Sequence, residues 1–100
     1  MQLNLVGKNF PITPALKSHA EEKLEALNER YSHVKNIHLV LHIEHLDHYA
    51  EATLHFHGSE LHATAKANDM YLAIDQLSDK LSGQMQKLKD KAIDSQRQST

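Results

Sequence analysis

Between Leu16 and Ala92 the apolar residues change period twice, from steps of four and three to strict alternation and back. That switch constrains the fold more than any single motif, because a helix brings a face round every ~3.6 residues and a strand every two. Leu16, Ala20, Leu24, Leu27 and Tyr31 share one helical face. Just before them, Thr13 can cap free backbone amides, Pro14 suits the first helical position, and Ile12 can staple onto the first turn. The spacing predicts a first helix from about Pro14 to Tyr31. Ile37, Leu39, Leu41 and Ile43 then alternate with His38, Val40, His42 and Glu44. After a polar connection over 45–49, Ala50, Ala52, Leu54 and Phe56 alternate with Glu51, Thr53, His55 and His57. Past Gly58-Ser59, Leu61, Ala63 and Ala65 alternate with His62, Thr64 and Lys66. Each run reads as a strand with one buried face. A two-residue Gly-Ser turn predicts a hairpin in which Phe56 faces Leu61, His55 faces His62 and Glu51 faces Lys66.

Asn68 or Asp69 caps a second helix, in which Met70, Ile74, Leu77, Leu81, Met85, Leu88 and Ala92 hold one face through roughly six turns. At the other end QLNLV, residues 2–6, puts Leu3 and Leu5 on one side and reads as a short strand ended by Gly7. The order is strand, helix, three meandering strands, helix. Helices with one apolar stripe and a sheet with one apolar face satisfy each other when both helices pack on the same side. The expected fold is a two-layer α+β sandwich, β-α-β-β-β-α, similar to the double-stranded-RNA-binding domain, with a four-stranded sheet and two helices on one face. The partner of the first strand stays open. A chain of 100 residues suits one domain, expected over 1–94, with a disordered tail over 95–100 that lacks any apolar residue.

Composition removes several classes of function. Cysteine is absent, which excludes disulfides, thiolate metal sites and cysteine nucleophiles. No apolar run approaches the ~20 residues needed to cross a bilayer, and Met1 to Lys8 lacks the basic start and apolar stretch of a signal peptide. A cytoplasmic protein with no membrane partner is expected. Glu44, Asp47 and Glu51, or Ser32 and Ser59 beside a histidine, sit in no patterned catalytic site, and three glycines leave no phosphate-cradling loop. The chain is expected to be no enzyme, with no cofactor and no small-molecule substrate.

The formal charge of -2 does not point to nucleic acid, but its distribution on the helices does. At ~100° per residue, Lys80, Lys87 and Lys91 fall within about 40° of one another beside the apolar stripe, with Asp75, Asp79 and Asp90 on the far side. In helix one His19, Lys23 and Arg30 share a flank, Glu22, Glu25 and Glu29 lie farther round, and Lys17 occupies the opposite flank. One reading makes these solvated faces with helpful pairs at four-residue spacing. The other joins the basic flanks of neighbouring helices into a stripe for a phosphate backbone.

Nine histidines are the compositional oddity. His38, His42, His55, His57 and His62 are placed on the outer face of the meander, so His38, His55, His57 and His62 form an alternative metal-binding set. The competing reading is an open sheet face that needs polar residues, without any HExxH motif or fixed carboxylate spacing. Imidazoles near phosphates would also make this face basic on mild acidification.

The run EATLHFHGSELHATAKANDMYLAIDQLSDKL, from Glu51 to Leu81, resembles the core of the ribosome hibernation promoting factor family, also called ribosomal subunit interface proteins. Its most specific parts are ATLH, then G-x-E-x-H-A-x-A, then DMY-x-AID-x-L-x-DKL. The opening MQLNLVGKNFPITPAL is similar to that family's first strand and helix start, and the resemblance extends to about Lys91. It implies a domain that binds the small ribosomal subunit, and so the whole ribosome, in the channel used by messenger and transfer RNA, blocking translation in stress and stationary phase. The chain resembles the short form, which implies ribosome dimerisation together with a second factor, a ribosome modulation factor. Matching the family pattern, Lys17, Lys23, Lys80, Lys87, Lys89 and Lys91 are the expected contacts to 16S-type ribosomal RNA. His62, Asp69 and Tyr71 also match. Of these Tyr71 is a candidate stacking contact and Asp69 equally a helix cap. Arg30 joins from the helix wheel alone. The chain departs from the pattern at Gly83, where similar proteins often have arginine, and at Ile93, where they often have lysine. A histidine-rich metal binder and a general double-stranded-RNA binder are the alternative functions.

Overall fold

Thr13 has an extended backbone, and its hydroxyl accepts from the Leu16 amide at 3.2 Å, so the first helix starts where the Thr-Pro signal places it. A computed structural model describes residues 2–98, with side chains described through Asp90. The elements are β1 (Leu3–Gly7), α1 (Pro14–Tyr31), β2 (Val34–Glu44), β3 (Asp47–Phe56), β4 (Ser59–Ala67) and α2 (Met70–Gln98). The strands lie in the order β1-β2-β3-β4. β1 runs parallel to β2, with α1 as the crossover, and the other pairs are antiparallel. Gly7 ends β1 because the chain folds back on it: a Cβ there would lie 2.1 Å from the Phe10 carbonyl oxygen.

Both helices cover one face of the sheet. The whole stripe of α1, Leu16, Ala20, Leu24, Leu27 and Tyr31, is buried, as are Met70, Ile74, Leu77, Leu81 and Met85 of α2. Facing them are Ile37, Leu39, Leu41, Leu54 and Phe56, with alanines where α2 crosses: Ala50 pairs with Ala65 and Ala52 with Ala63. Small residues on the sheet under large ones on the helix let the two layers interdigitate. No polar or charged side chain is buried among the described residues.

The hairpin register differs from the expected one. The turn residues are His57 and Gly58, with φ of 52° and 76°, so Phe56 pairs with Ser59, His55 with Glu60, Thr53 with His62 and Glu51 with Thr64. Positive φ at both central positions is the two-residue turn whose twist matches the strands, and Gly58 serves it in second place, not first. The partners slide by two residues, so each side chain keeps its face. Two smaller corrections concern the next hairpin. β2 and β3 extend until Glu44 pairs with Asp47, which reduces the expected 45–49 connection to His45-Leu46. Ile43, expected in the core, is 41% exposed, next to this turn at the end of the strand. A bulge in β2 between Lys35 and His38 places Asn36 at φ 51°, a conformation asparagine tolerates.

Candidate nucleic-acid interface

α2 is the longest element; among the described side chains its last fully buried one is Met85, and Lys87 and Lys89 flank Leu88, which packs only partly buried against the core. Both are exposed. By the helical step they point in nearly opposite directions, Lys87 toward the flank of Lys80 and Lys89 about 180° from it. Lys80 lies over the edge of β4, where its ammonium donates to the Thr64 carbonyl at 2.6 Å; Gln84, one turn on, donates to the His62 carbonyl at 3.0 Å. An ammonium has three protons, so Lys80 keeps two for another acceptor. Lys91 belongs to this flank by sequence, but its side chain lies outside the described residues, as do the side chains of the expected tail over 95–100. The backbone of α2 is helical through Gln98.

The groove between α1 and α2 has a different composition. His19 Nε2 lies 2.7 Å from Asp75 Oδ1, Lys23 Nζ 3.6 Å from the same oxygen, and the Tyr71 ring meets His19 edge-on at 5.1 Å. In the last turn of α1, Arg30 places its guanidinium 5.4 Å from the Tyr31 ring centre, and the Tyr31 hydroxyl bonds Ser82 Oγ at 2.8 Å. Lys17 is on the other side of α1, 4.0 Å from Glu21. The expected stripe between the two helices is therefore split. The basic flank of α2 faces β4, and in the groove Asp75 stands among the basic groups of α1. A helix wheel gives directions around each axis but not which direction meets the neighbour, so Asp75 as the shared partner of His19 and Lys23 was missed. The available signal was an acid on α2 opposite a basic flank on α1.

On the open face of the sheet the histidines pair with neighbours of other kinds. His38 Nδ1 is 3.1 Å from Asn4 Nδ2, His62 Nδ1 is 3.1 Å from Thr53 Oγ1, and His55 lies 3.8 Å from Glu60. His42 stacks on Tyr49 at 4.9 Å with rings 4° from parallel, between Glu44 and Glu51 at 3.9 Å each. His57 is in the turn, against Phe56 at 4.4 Å and His33 at 4.9 Å, and so leaves the face it was assigned to. His55 and His62 are not opposite each other. Among the described residues no three His, Asp or Glu side chains converge in a way that would hold a metal ion.

These features define a class: a two-layer α+β domain that carries exposed basic groups on helix flanks beside a polar sheet face. The family described as Sigma 54 modulation protein / S30EA ribosomal protein matches residues 3–93, and the chain belongs to it. It is 44% identical over 91 residues to the ribosome hibernation promoting factor of Escherichia coli K12, covering 91% of this chain and 96% of that protein. The factor of the same name from Azotobacter vinelandii is 40% identical over 96 residues, which cover 96% of this chain and 90% of the relative. Among solved structures, a ribosomal subunit interface protein from Coxiella burnetii superposes with a TM-score of 0.85 at 33% identity, covering 90% of this chain and 99% of that one. The N-terminal domain of Thermus thermophilus Protein Y gives 0.78 at 29% identity over 85% of this chain and 94% of its own. No helix among the described residues is long and apolar enough to cross a membrane.

Proposed function

We propose that this chain is a cytoplasmic ribosome hibernation factor, which binds the small ribosomal subunit in the messenger and transfer RNA channel and inhibits translation. It works as a plug without catalysis: basic side chains neutralise phosphates and the body of the domain excludes the RNAs that would occupy the channel. The observation that carries this reading is the 44% identity to a hibernation promoting factor across nearly the whole of both chains. The physical basis is the separation of charge within a chain of net charge -2. Lys87 and Lys89 are exposed on α2, and Lys80 keeps free donors at the β4 edge. Affinity built this way comes from counterion release at the contacted phosphates and does not need a positive protein. Lys23 and Arg30 add positive charge from α1, Lys17 from its other side, and Tyr71, 40% exposed, is the aromatic ring proposed for stacking. In this reading the factor promotes ribosome dimers together with a ribosome modulation factor.

Co-sedimentation with salt-washed small subunits and whole ribosomes across a salt series tests the plug, with translation followed in parallel. Saturation near one copy per ribosome is expected, lost as salt rises and matched by lost translation. Reversing Lys87 and Lys91 to glutamate should abolish binding while the circular dichroism spectrum stays native; unchanged binding removes the α2 flank from the interface. Failure of the native protein to bind at low salt overturns the function itself. Sucrose gradients with and without the modulation factor test dimer formation.

A further inference from the structure

The two edges of the sheet are finished differently. On β4, Lys80 and Gln84 of α2 occupy the outward carbonyls of Thr64 and His62. On β1 the edge is bare. Ile37 N–H donates to the Gln2 carbonyl at 2.8 Å and Lys8 N–H to the Leu41 carbonyl at 2.9 Å, so even-numbered residues turn their backbone groups toward β2. Leu3 and Leu5 turn theirs outward, because successive residues of a strand bond to opposite sides. Among the described residues those outward groups have no hydrogen-bond partner. Native proteins usually cover, charge or break such an edge, because it is a template for another strand.

Beside this edge runs a groove of about 530 Å³ between β1 and α1, floored by Leu3, Leu5 and Ile12 and walled by Lys17, Glu21 and Glu25. Leu3 and Leu5 pack against the core there but are only partly buried, whereas Leu39 and Leu41 on the adjacent strand are fully buried. A strand added at the edge would place alternate side chains in the groove, in line with Leu3 and Leu5 and under α1. Val6, 39% exposed on the opposite face of β1, would gain a neighbour as well. Past Glu25 the outward side of α1 continues acidic, with Glu22 and Glu29. Among the described residues that line these two surfaces, Lys17 is the one cation, at 4.0 Å from Glu21.

We infer that the free edge of β1 is a docking site for an extended basic peptide segment, which adds a fifth strand to the sheet, lays the apolar stems of alternate lysines or arginines along the groove with their charges toward Glu21 and Glu25, and sets the intervening apolar side chains beside Val6 on the other face. Main-chain hydrogen bonds supply affinity in this mode of recognition, and the pockets for alternate side chains supply specificity. A second copy of this chain is a poorer occupant, because antiparallel pairing of two β1 edges would bring two acidic helices together. The site is on the opposite edge of the sheet from Lys80, and its test needs no ribosome.

The test uses the free, full-length protein and two blocked seven-residue peptides, one alternating lysine with valine and the other glutamate with valine. Amide hydrogen exchange is followed by nuclear magnetic resonance. The lysine peptide should slow exchange of the Leu3 and Leu5 amides at least tenfold at saturation, and the glutamate peptide should leave them unchanged. Glu21→Lys with Glu25→Lys should weaken the lysine peptide more than tenfold. Leu3→Pro removes one outward donor while sparing the Gln2 carbonyl that binds Ile37, and should also abolish protection at Leu5; if that variant unfolds, the charge-reversal pair still decides. No protection by the lysine peptide, equal protection by both peptides, or protection confined to β4 each overturns the proposal. Protection that appears without peptide and grows with protein concentration overturns it in favour of self-association.

Discussion

The β4 side and the β1 side of this sheet are closed to different degrees. Along β4, α2 packs Ala73, Ile74, Leu77 and Leu81 against the alanines of β3 and β4, and then reaches over the edge with Lys80 and Gln84. Along β1, α1 buries its stripe against the centre of the sheet and against α2 but leaves Leu3 and Leu5 half-covered. One half is finished and the other is open. The difference shows how a single-core domain divides its work: the sealed half ties Lys80 to the sheet, while the less covered half keeps an edge free.

Core truncations should break this comparison most strongly if it is wrong. Leu77, fully buried between α2 and the sheet, should cost about 2–5 kcal/mol as Leu77→Ala, the range for a leucine cavity that relaxes only in part. Leu3→Ala removes a side chain that is only half-covered and should cost less than about 2 kcal/mol. Urea unfolding followed by circular dichroism measures both, and equal losses would show that β1 is as tightly held as β4.

The next effect concerns how α1 is fastened. The Tyr31 hydroxyl reaches Ser82 Oγ at 2.8 Å, while the ring packs edge-on against Phe56 at 6.2 Å. Tyr31→Phe keeps the packing and should lose about 1 kcal/mol, the net value of a part-buried hydrogen bond. Ser82→Ala removes the same bond, so the double variant should fall well short of the sum of the two. Additive losses in the same denaturation experiment would mean that the two hydroxyls act independently.

Much of this division was legible in the sequence, for a physical reason that also sets its limit. Hydrophobic period reports which side of an element is buried, and among the described side chains it marks every buried residue of α1 and all the buried α2 positions except Ala73, a small residue at the margin of the stripe; Ala92, expected on the same face, lies outside them. Face survives a two-residue register error, which is why the hairpin was mispaired at Phe56 and yet kept its core. What period cannot report is which element lies beside which flank. The parallel pairing of β1 with β2, the contact of Asp75 with His19 and Lys23, and the reach of Lys80 to Thr64 all depend on the arrangement of whole elements. The candidate lysines came from the family pattern and the helix wheel; where each one points came only from the fold.

A smaller change should sharpen the comparison in the stabilising direction. Gly83 lies within α2, and a Cβ built there meets nothing within 4 Å. Gly83→Ala should therefore add roughly 0.5–1 kcal/mol by restricting the unfolded chain, visible as a rise in melting temperature of several degrees. Gly83→Arg should keep most of that gain and add a basic residue to α2. A fall in melting temperature for alanine would place a neighbour against that side of the helix.

The smallest effect on stability, and the most discriminating one, should come from Lys80→Met. The substitution keeps an unbranched side chain over β4 and deletes only the ammonium, so the Thr64 carbonyl exchanges its 2.6 Å partner for water. An exposed acceptor that water can reach loses little, and stability should change by less than about 0.5 kcal/mol. If Lys80 also neutralises a phosphate on the ribosome, the same variant should flatten the salt dependence of binding by roughly 0.7–0.9 in the logarithmic slope, the share of one contact. The two readouts separate two roles for one side chain. A stability loss with an unchanged slope would make Lys80 only a tie between α2 and the sheet edge. An unchanged melting curve with a reduced slope would make the sealed side also the RNA side, where the backbone contact holds the ammonium in place for a phosphate.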